Sequence, residues 1–260
     1  MSRTALITGA SAGLGIEFAR QLAARGFDLL LIARREDRLK ETAREIEEAH
    51  GATVHTFAAD LSRRTAPAAI ADFAREAGLD IDYLVNNAGS AGPNLFEEPD
   101  WEVQADFLEL MMLSVTQMCH HFIPAMCTRG YGRVINVASF AGRIARPAGA
   151  HYGPSKAYLI ALSEELALDL AGSGVHVSAL CPGFTHTEFH ERADLKEMKR
   201  GLPGWMWYDA ETVVREGIEA VERGRPIQVS GRLYRWLDPF AQSVWTRPIF
   251  KALAPGRPRP

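Results

Sequence analysis

Three cysteines, Cys119, Cys127 and Cys181, are too few and too scattered for a disulfide framework or a zinc site. They read as small apolar packing residues. No uncharged apolar run reaches the roughly 18 residues that a membrane-spanning helix needs. No charged segment followed by a long apolar one precedes the first apolar run at residues 4–8, so a secretion leader is not expected. A reducing cytoplasm fits these features. An excess of charge of either sign is also lacking: the formal net charge is -3 with a pI near 6.3, which gives no reason to expect nucleic acid as a partner. Metal ligands do not cluster in a usable way. Cys119, His120 and His121 are adjacent, and neighbouring residues on a helix point in different directions.

What is present is an alternation of short apolar runs with long amphipathic stretches. Residues 4–8, 28–33, 53–58, 82–86, 133–138, 175–180 and 227–230 read as strands. Residues 13–25, 36–50, 66–77, 102–128 and 152–171 read as helices, the fourth of them bent near Pro124. Continuous apolar strands separated by helices imply a sheet covered on both faces and right-handed crossovers. The expectation is α/β: one Rossmann-like, doubly wound domain with a mostly parallel seven-stranded sheet. Such folds bind ligands at the carboxyl ends of their strands.

The first strand runs into Gly9, Ser11, Gly13, Leu14 and Gly15, and a helix follows at once. Glycines let the backbone turn tightly and approach a phosphate, and the helix start offers free N–H groups and a positive dipole end. The second strand ends at Ala33, followed by Arg34 and Arg35 rather than by an acid. An acid there would bond the ribose 2′-hydroxyl of NAD; an arginine binds the 2′-phosphate of NADP, and Ser11 can add a hydroxyl. NADP is therefore favoured over NAD.

Tyr152 and Lys156 stand four apart at the start of a helix and share its face. A nearby ammonium and a helix N-terminus both stabilise phenolate, which makes a tyrosine a usable general acid/base near neutral pH. Ser139 follows the fifth strand at its carboxyl end, where its hydroxyl can hold a carbonyl oxygen.

The ordered set formed by the glycine loop, Asn86-Asn87-Ala88-Gly89, Ser139, Tyr152/Lys156 and Pro182-Gly183 closely resembles the short-chain dehydrogenase/reductase family over roughly residues 3–190. The turn at residues 32–36 and the stretch at 182–189 look like an NADP-preferring subgroup. The resemblance implies that Tyr152 protonates a carbonyl oxygen as hydride arrives, that Ser139 orients and polarises that carbonyl, and that Lys156 binds the nicotinamide ribose and lowers the tyrosine pKa. It implies that Asp60 and Leu61 flank the adenine and that Asn87, Ala88 and Gly89 line the cleft. Pro182, Gly183, Phe184 and Thr185 would hold the nicotinamide end, with Thr187 near the pyrophosphate. It also implies a homodimer or homotetramer formed through helices near residues 104–128 and 152–171. One departure stands out: where the family carries an asparagine in its long helix, this chain has Met111, which cannot reproduce the amide bonds.

After residue 185 the composition changes. The family uses the following segment as a substrate lid, here residues 187–209, and Phe189, Trp205, Met206, Trp207 and Tyr208 would give it an apolar face. A bulky apolar carbonyl or alcohol is the expected substrate. His151 and His186 either touch that substrate or are ordinary loop polarity. Residues 232–260 form a basic and aromatic extension, broken into short pieces by Pro239 and Pro248. It packs on the protein in the favoured reading; peripheral contact with a membrane surface is the other. The functional alternative to an oxidoreductase is a dinucleotide-binding sensor or scaffold with weak or no turnover, supported by Met111 alone.

Overall fold

The computed structural model describes residues 3–144, 151–187, 203–246 and 248. Seven strands form one sheet in which every neighbouring pair is parallel. They are β1 (Arg3–Thr8), β2 (Phe27–Ala33), β3 (Val54–Ala58), β4 (Ile81–Asn86), β5 (Gly132–Val137), β6 (Val175–Pro182) and β9 (Ile227–Ser230), in the spatial order β3-β2-β1-β4-β5-β6-β9. β7 (Phe184–Thr185) and β8 (Trp207–Tyr208) form a separate two-stranded parallel pair that the sequence does not announce.

Why the strands are apolar throughout is visible in their packing. Ala5 and Ile7 of β1, Leu29 and Leu31 of β2, and Tyr83 and Val85 of β4 face one core, shared with Phe18 and Leu22 of α1 (Gly13–Ala23) and Leu39 and Ile46 of α2 (Glu36–His50). Leu6, Leu30, Ile32 and Leu84 face the other, shared with Ile70 of α3 (Ala66–Glu76) and with Met118, Phe122 and Met126 of α5 (Ser114–Arg129). Side chains alternate across the sheet and both sides are covered, so no polar alternation survives. Burial of each such side chain contributes about 1.5–3 kcal/mol.

One expected helix and the C-terminal extension differ. The stretch at 102–128 is α4 (Trp101–Leu108), a π-helical turn (Glu109–Leu113) and α5. The irregularity lies at that turn and not at Pro124, which sits inside α5. A π turn carries one extra residue, and here it places Met111, 1% exposed, against the cleft described below. The C-terminal α8 (Arg232–Gln242) likewise runs through Pro239 unbroken. Proline removes one N–H near the end of that helix, and the Ser243 N–H still reaches the Pro239 carbonyl. α6 (Tyr152–Asp169) follows β5, and α7 (Ala210–Glu222) precedes β9. Among the described residues no helix is long and apolar enough to cross a membrane.

The chain runs outward from β1 to β3, then returns to pair β4 with the other side of β1. A crevice opens where the order reverses, beyond the carboxyl ends of β1 and β4. Two loops are stitched together there: the Asn87 and Ala88 N–H groups donate to Thr8 Oγ1 at 2.9 and 3.0 Å, and Asn87 Nδ2 donates to the Thr8 carbonyl at 2.9 Å.

Candidate active site

A cleft of about 820 Å³ occupies this crevice. Ser139, Tyr152 and Lys156 border it, as do Gly9, Ser11, Gly13, Leu14, Arg34, Arg35, Asp60, Leu61, Asn87, Ala88, Gly89, Pro182, Gly183, Thr185 and Thr187. Two residues expected there do not line it. Gly15 stands behind the loop, where a Cβ would lie 2.2 Å from the Gly9 carbonyl oxygen, so its glycine makes room for the loop itself. Phe184 turns away to pack on Trp207, with ring centroids 5.2 Å apart, and on Tyr234. Aromatic burial is the stronger pull on a side chain of that size.

The glycine loop suits an anion. The residue capping α1, Ala12, offers no side-chain bond, and the first turn of α1 carries no acid. No carboxylate of this turn therefore competes with an anion for the N–H groups at the helix start. Gly9 and Gly13 have φ of 68° and 52°, the left-handed region that a side chain would strain. Thr187 lies against Gly13, 3.2 Å from where its Cβ would be. Beside the loop, Arg35 Nη2 donates to the Ser11 carbonyl and hydroxyl at 3.3 and 3.4 Å. Arg38, which the sequence reading passed over, also borders the cleft. It stands in the first turn of α2, four residues beyond Arg34, and that spacing was the available signal. Three guanidiniums on one wall fit a dinucleotide carrying an extra phosphate.

At the other end, Lys156 is 5% exposed and donates from Nζ to the Val137 carbonyl at 2.7 Å. Its ammonium lies 5.8 Å from the centre of the Tyr152 ring. Burial pushes the lysine down to about 8, with an opposing pull from Cys181. The side chain thus remains charged at neutral pH and titrates just above it. Ser139 Oγ accepts the Ala141 N–H at 3.1 Å, which fixes the start of a short 3-10 turn (Phe140–Gly142). Met111 fills the wall between Gly89 and the helix, its Sδ 3.4 Å from the Ser90 N–H donor. A thioether is a weak acceptor, so that contact is soft.

The remaining singled-out residues lie elsewhere. Burial pushes the thiols of Cys119 and Cys181 up to about 12, which makes them packing residues rather than nucleophiles. His120 and His121 sit ring to ring on α5, and no group of metal-binding side chains occurs among the described residues. His186 stacks on Trp207 at 5.2 Å, and His151 approaches Phe107 at 6.1 Å. Of the expected lid, Trp205 is 67% exposed while Trp207 is buried; Phe189 lies outside the described residues, as do residues 249–260 of the C-terminal extension.

Residues 3–198 match the short chain dehydrogenase family. The chain is 34% identical over 178 residues to a very-long-chain 3-oxoacyl-CoA reductase of Laccaria bicolor, covering 68% of this chain and 53% of that protein. The chain thus spans about half the length of that relative. It is 34% identical over 213 residues to a granaticin polyketide synthase putative ketoacyl reductase of Streptomyces violaceoruber, covering 81% and 76% of the two chains. The structure of a short-chain dehydrogenase from Sphingobium yanoikuyae in complex with NADPH superposes with a TM-score of 0.81, at 28% identity, over 99% of this chain and 98% of that one. This protein belongs to the short-chain dehydrogenase family.

Proposed function

We propose that this protein is an NADP-dependent oxidoreductase that interconverts a carbonyl and a secondary alcohol on a bulky apolar substrate. One observation carries the reading: Ser139, Tyr152 and Lys156 open onto the same cleft whose far end has a glycine loop and three arginines. The NADPH-bound relative supports the same cofactor. The dinucleotide supplies hydride when bound. Tyr152 gives its phenolic proton to the substrate oxygen, Ser139 holds that oxygen in place, and Lys156 grips the ribose and keeps the tyrosine acidic. The glycine loop and α1 hold the pyrophosphate, with Thr187 beside it; Asp60 and Leu61 flank the base, and Arg34, Arg35 and Arg38 hold the 2′-phosphate. Asn87, Ala88 and Gly89 form the wall, and Pro182, Gly183 and Thr185 close the nicotinamide end.

The reading takes the chain as one domain in which residues 187–209 form the substrate lid and 232–260 a C-terminal amphipathic extension. The exposed indole of Trp205 supports an apolar face on that lid. Residence in the cytoplasm and a homodimer or homotetramer built on the helices near residues 104–128 and 152–171 complete it; exposed Leu113, in the turn before α5, and Leu168 on α6 suit such a contact.

Fluorescence titration of wild type and Arg34→Ala with NADPH and NADH tests the cofactor assignment. Losing a charge-assisted phosphate contact is expected to weaken NADPH about tenfold or more, with NADH changed by less than about twofold. Equal effects on both cofactors would remove the phosphate clamp from the reading.

The lysine sets a pH dependence. Lys156 titrates near 8 in the folded protein and near 10.5 when unfolded. Between these values the unfolded chain holds more protons, so burial of the ammonium lowers stability fully below pH 8 and the penalty fades as pH rises towards 10.5. Cofactor oxygens favour the charged form, so binding above pH 8 must take up a proton. NADPH affinity is expected to fall by up to about tenfold per unit above pH 8. Titrations at pH 7, 8 and 9 check this, and an unchanged Kd would mean that Lys156 does not touch the cofactor.

A further inference from the structure

The C-terminal helix α8 does more than cover the protein. Its start is anchored by Glu216 of α7, whose carboxylate accepts from Ser230 Oγ at 3.0 Å, the Gly231 N–H at 3.1 Å and Arg235 Nη2 at 3.0 Å. From there it reaches the turn that follows Ser139. Arg143 and Asp238 form a two-bond ion pair, and Gln242 donates to the Arg143 carbonyl. α8 therefore lies along the carboxyl edge of the sheet from β9 to the loop after β5.

Tyr234, in the first turn of α8, is buried with Ala241 on its inward face. The ring is 3% exposed and packs on Phe140, centroids 5.1 Å apart, one residue beyond Ser139. It also occupies the space beside Gly183: a Cβ there would lie 2.0 Å from the tyrosine ring. Its hydroxyl accepts the Phe184 N–H at 3.3 Å and donates to the Met206 carbonyl at 2.9 Å. A second tyrosine repeats the link, since Tyr208 Oη accepts the Leu233 N–H at 3.2 Å and the Tyr208 carbonyl accepts the His186 N–H at 3.0 Å. Two segments that border the cleft, at Ser139 and at Gly183, and the returning chain at Met206–Tyr208 thus converge on one buried phenol.

We propose that Tyr234 is a positioning residue: its hydroxyl ties the turn at Gly183 and Phe184 to the returning chain at Met206–Tyr208 and so sets the wall against which substrate binds. The inference rests on the oxidoreductase reading for its substrate, but not for the tie itself. A bare phenylalanine would fill the same space and leave both backbone groups without their partner. The wall would loosen while Ser139, Tyr152 and the phosphate loop stayed in place. The effect therefore falls on substrate binding, with a smaller one on the nicotinamide end of the cofactor, and not on proton transfer.

The test compares wild type, Tyr234→Phe and Tyr208→Phe, all loaded with NADPH. Amide exchange comes first, since it needs no substrate. Exchange in residues 183–187 and 203–208 is expected to quicken about tenfold in Tyr234→Phe, with residues 9–15 unchanged. Propiophenone then serves as the carbonyl probe. Its KM is expected to rise about five- to tenfold and the NADPH Kd by no more than about threefold, with kcat within about twofold. Tyr208→Phe shifts the same parameter in the same direction, and the double variant adds less than the sum of the two. Unchanged exchange in both segments overturns the tie. Quickened exchange with an unchanged KM overturns the positioning role. No reduction of propiophenone or of other ketones by wild type counts against the oxidoreductase reading, while the exchange result still decides the tie.

Discussion

Tyr152→Phe is expected to lower kcat for ketone reduction by about 10²- to 10⁴-fold while NADPH binds within about twofold of wild type. The substitution removes one oxygen and keeps the ring that lies beside the Lys156 ammonium. Packing, the α6 start and the phosphate loop are untouched, so a change in Kd is not expected. The loss falls on the step in which the substrate oxygen takes its proton. Stopped-flow measurement of NADPH oxidation under single turnover separates that step from product release. Retained turnover would move the proton source to another group on the cleft wall. A wild type that binds NADPH tightly and turns over no carbonyl would favour the sensor reading instead, and Met111 would then be the first residue to replace.

Gly15→Ala is expected to weaken both NADPH and NADH by about a hundredfold or more, and to destabilise the protein by about 1–3 kcal/mol. The added methyl would lie 2.2 Å from the Gly9 carbonyl oxygen, 2.7 Å from its carbon and 2.8 Å from Asn87 Nδ2. Two of those three atoms are backbone and cannot swing aside. The Gly9 peptide must move, and Gly9 is part of the surface that would cradle the phosphates. Because the Asn87 amide also donates to the Thr8 carbonyl, the disturbance passes to the loop after β4. Thermal unfolding with and without cofactor measures both effects. A variant that binds normally would show that the glycine loop yields without penalty, and the tight turn would lose its assigned purpose.

Much of this was legible in the chain before any coordinates. The seven strands follow from apolar runs such as Leu29 to Ala33, because a sheet buried on both faces has no polar side to disguise it. The cleft residues follow from chemistry that needs particular side chains: glycine where the backbone approaches a phosphate, a lysine four residues from a tyrosine on one helix. What escaped depended on long-range packing. The π turn at Met111 has no local mark, since an extra residue in a helical turn keeps the same apolar texture. Pro239 signalled a break that the few remaining residues of α8 made unnecessary. Phe184 was grouped with its cleft-lining neighbours Gly183 and Thr185, although only the distant Trp207 and Tyr234 give its ring a reason to turn away. Arg38 was missed because a charged helix such as α2 offers several arginines and the spacing alone does not choose among them.

The position of α8 in the chain also orders events during synthesis. The phosphate end of the cleft draws on residues that all precede residue 188 in the chain, whereas the tyrosine that braces the reacting end arrives only with α8. A chain that ended after α7 would therefore hold every residue of the phosphate end, and the α7 side chains that pack behind it, but would lack the tyrosine that braces a substrate. Reactive handling of carbonyls would begin only once the C-terminal helix had docked.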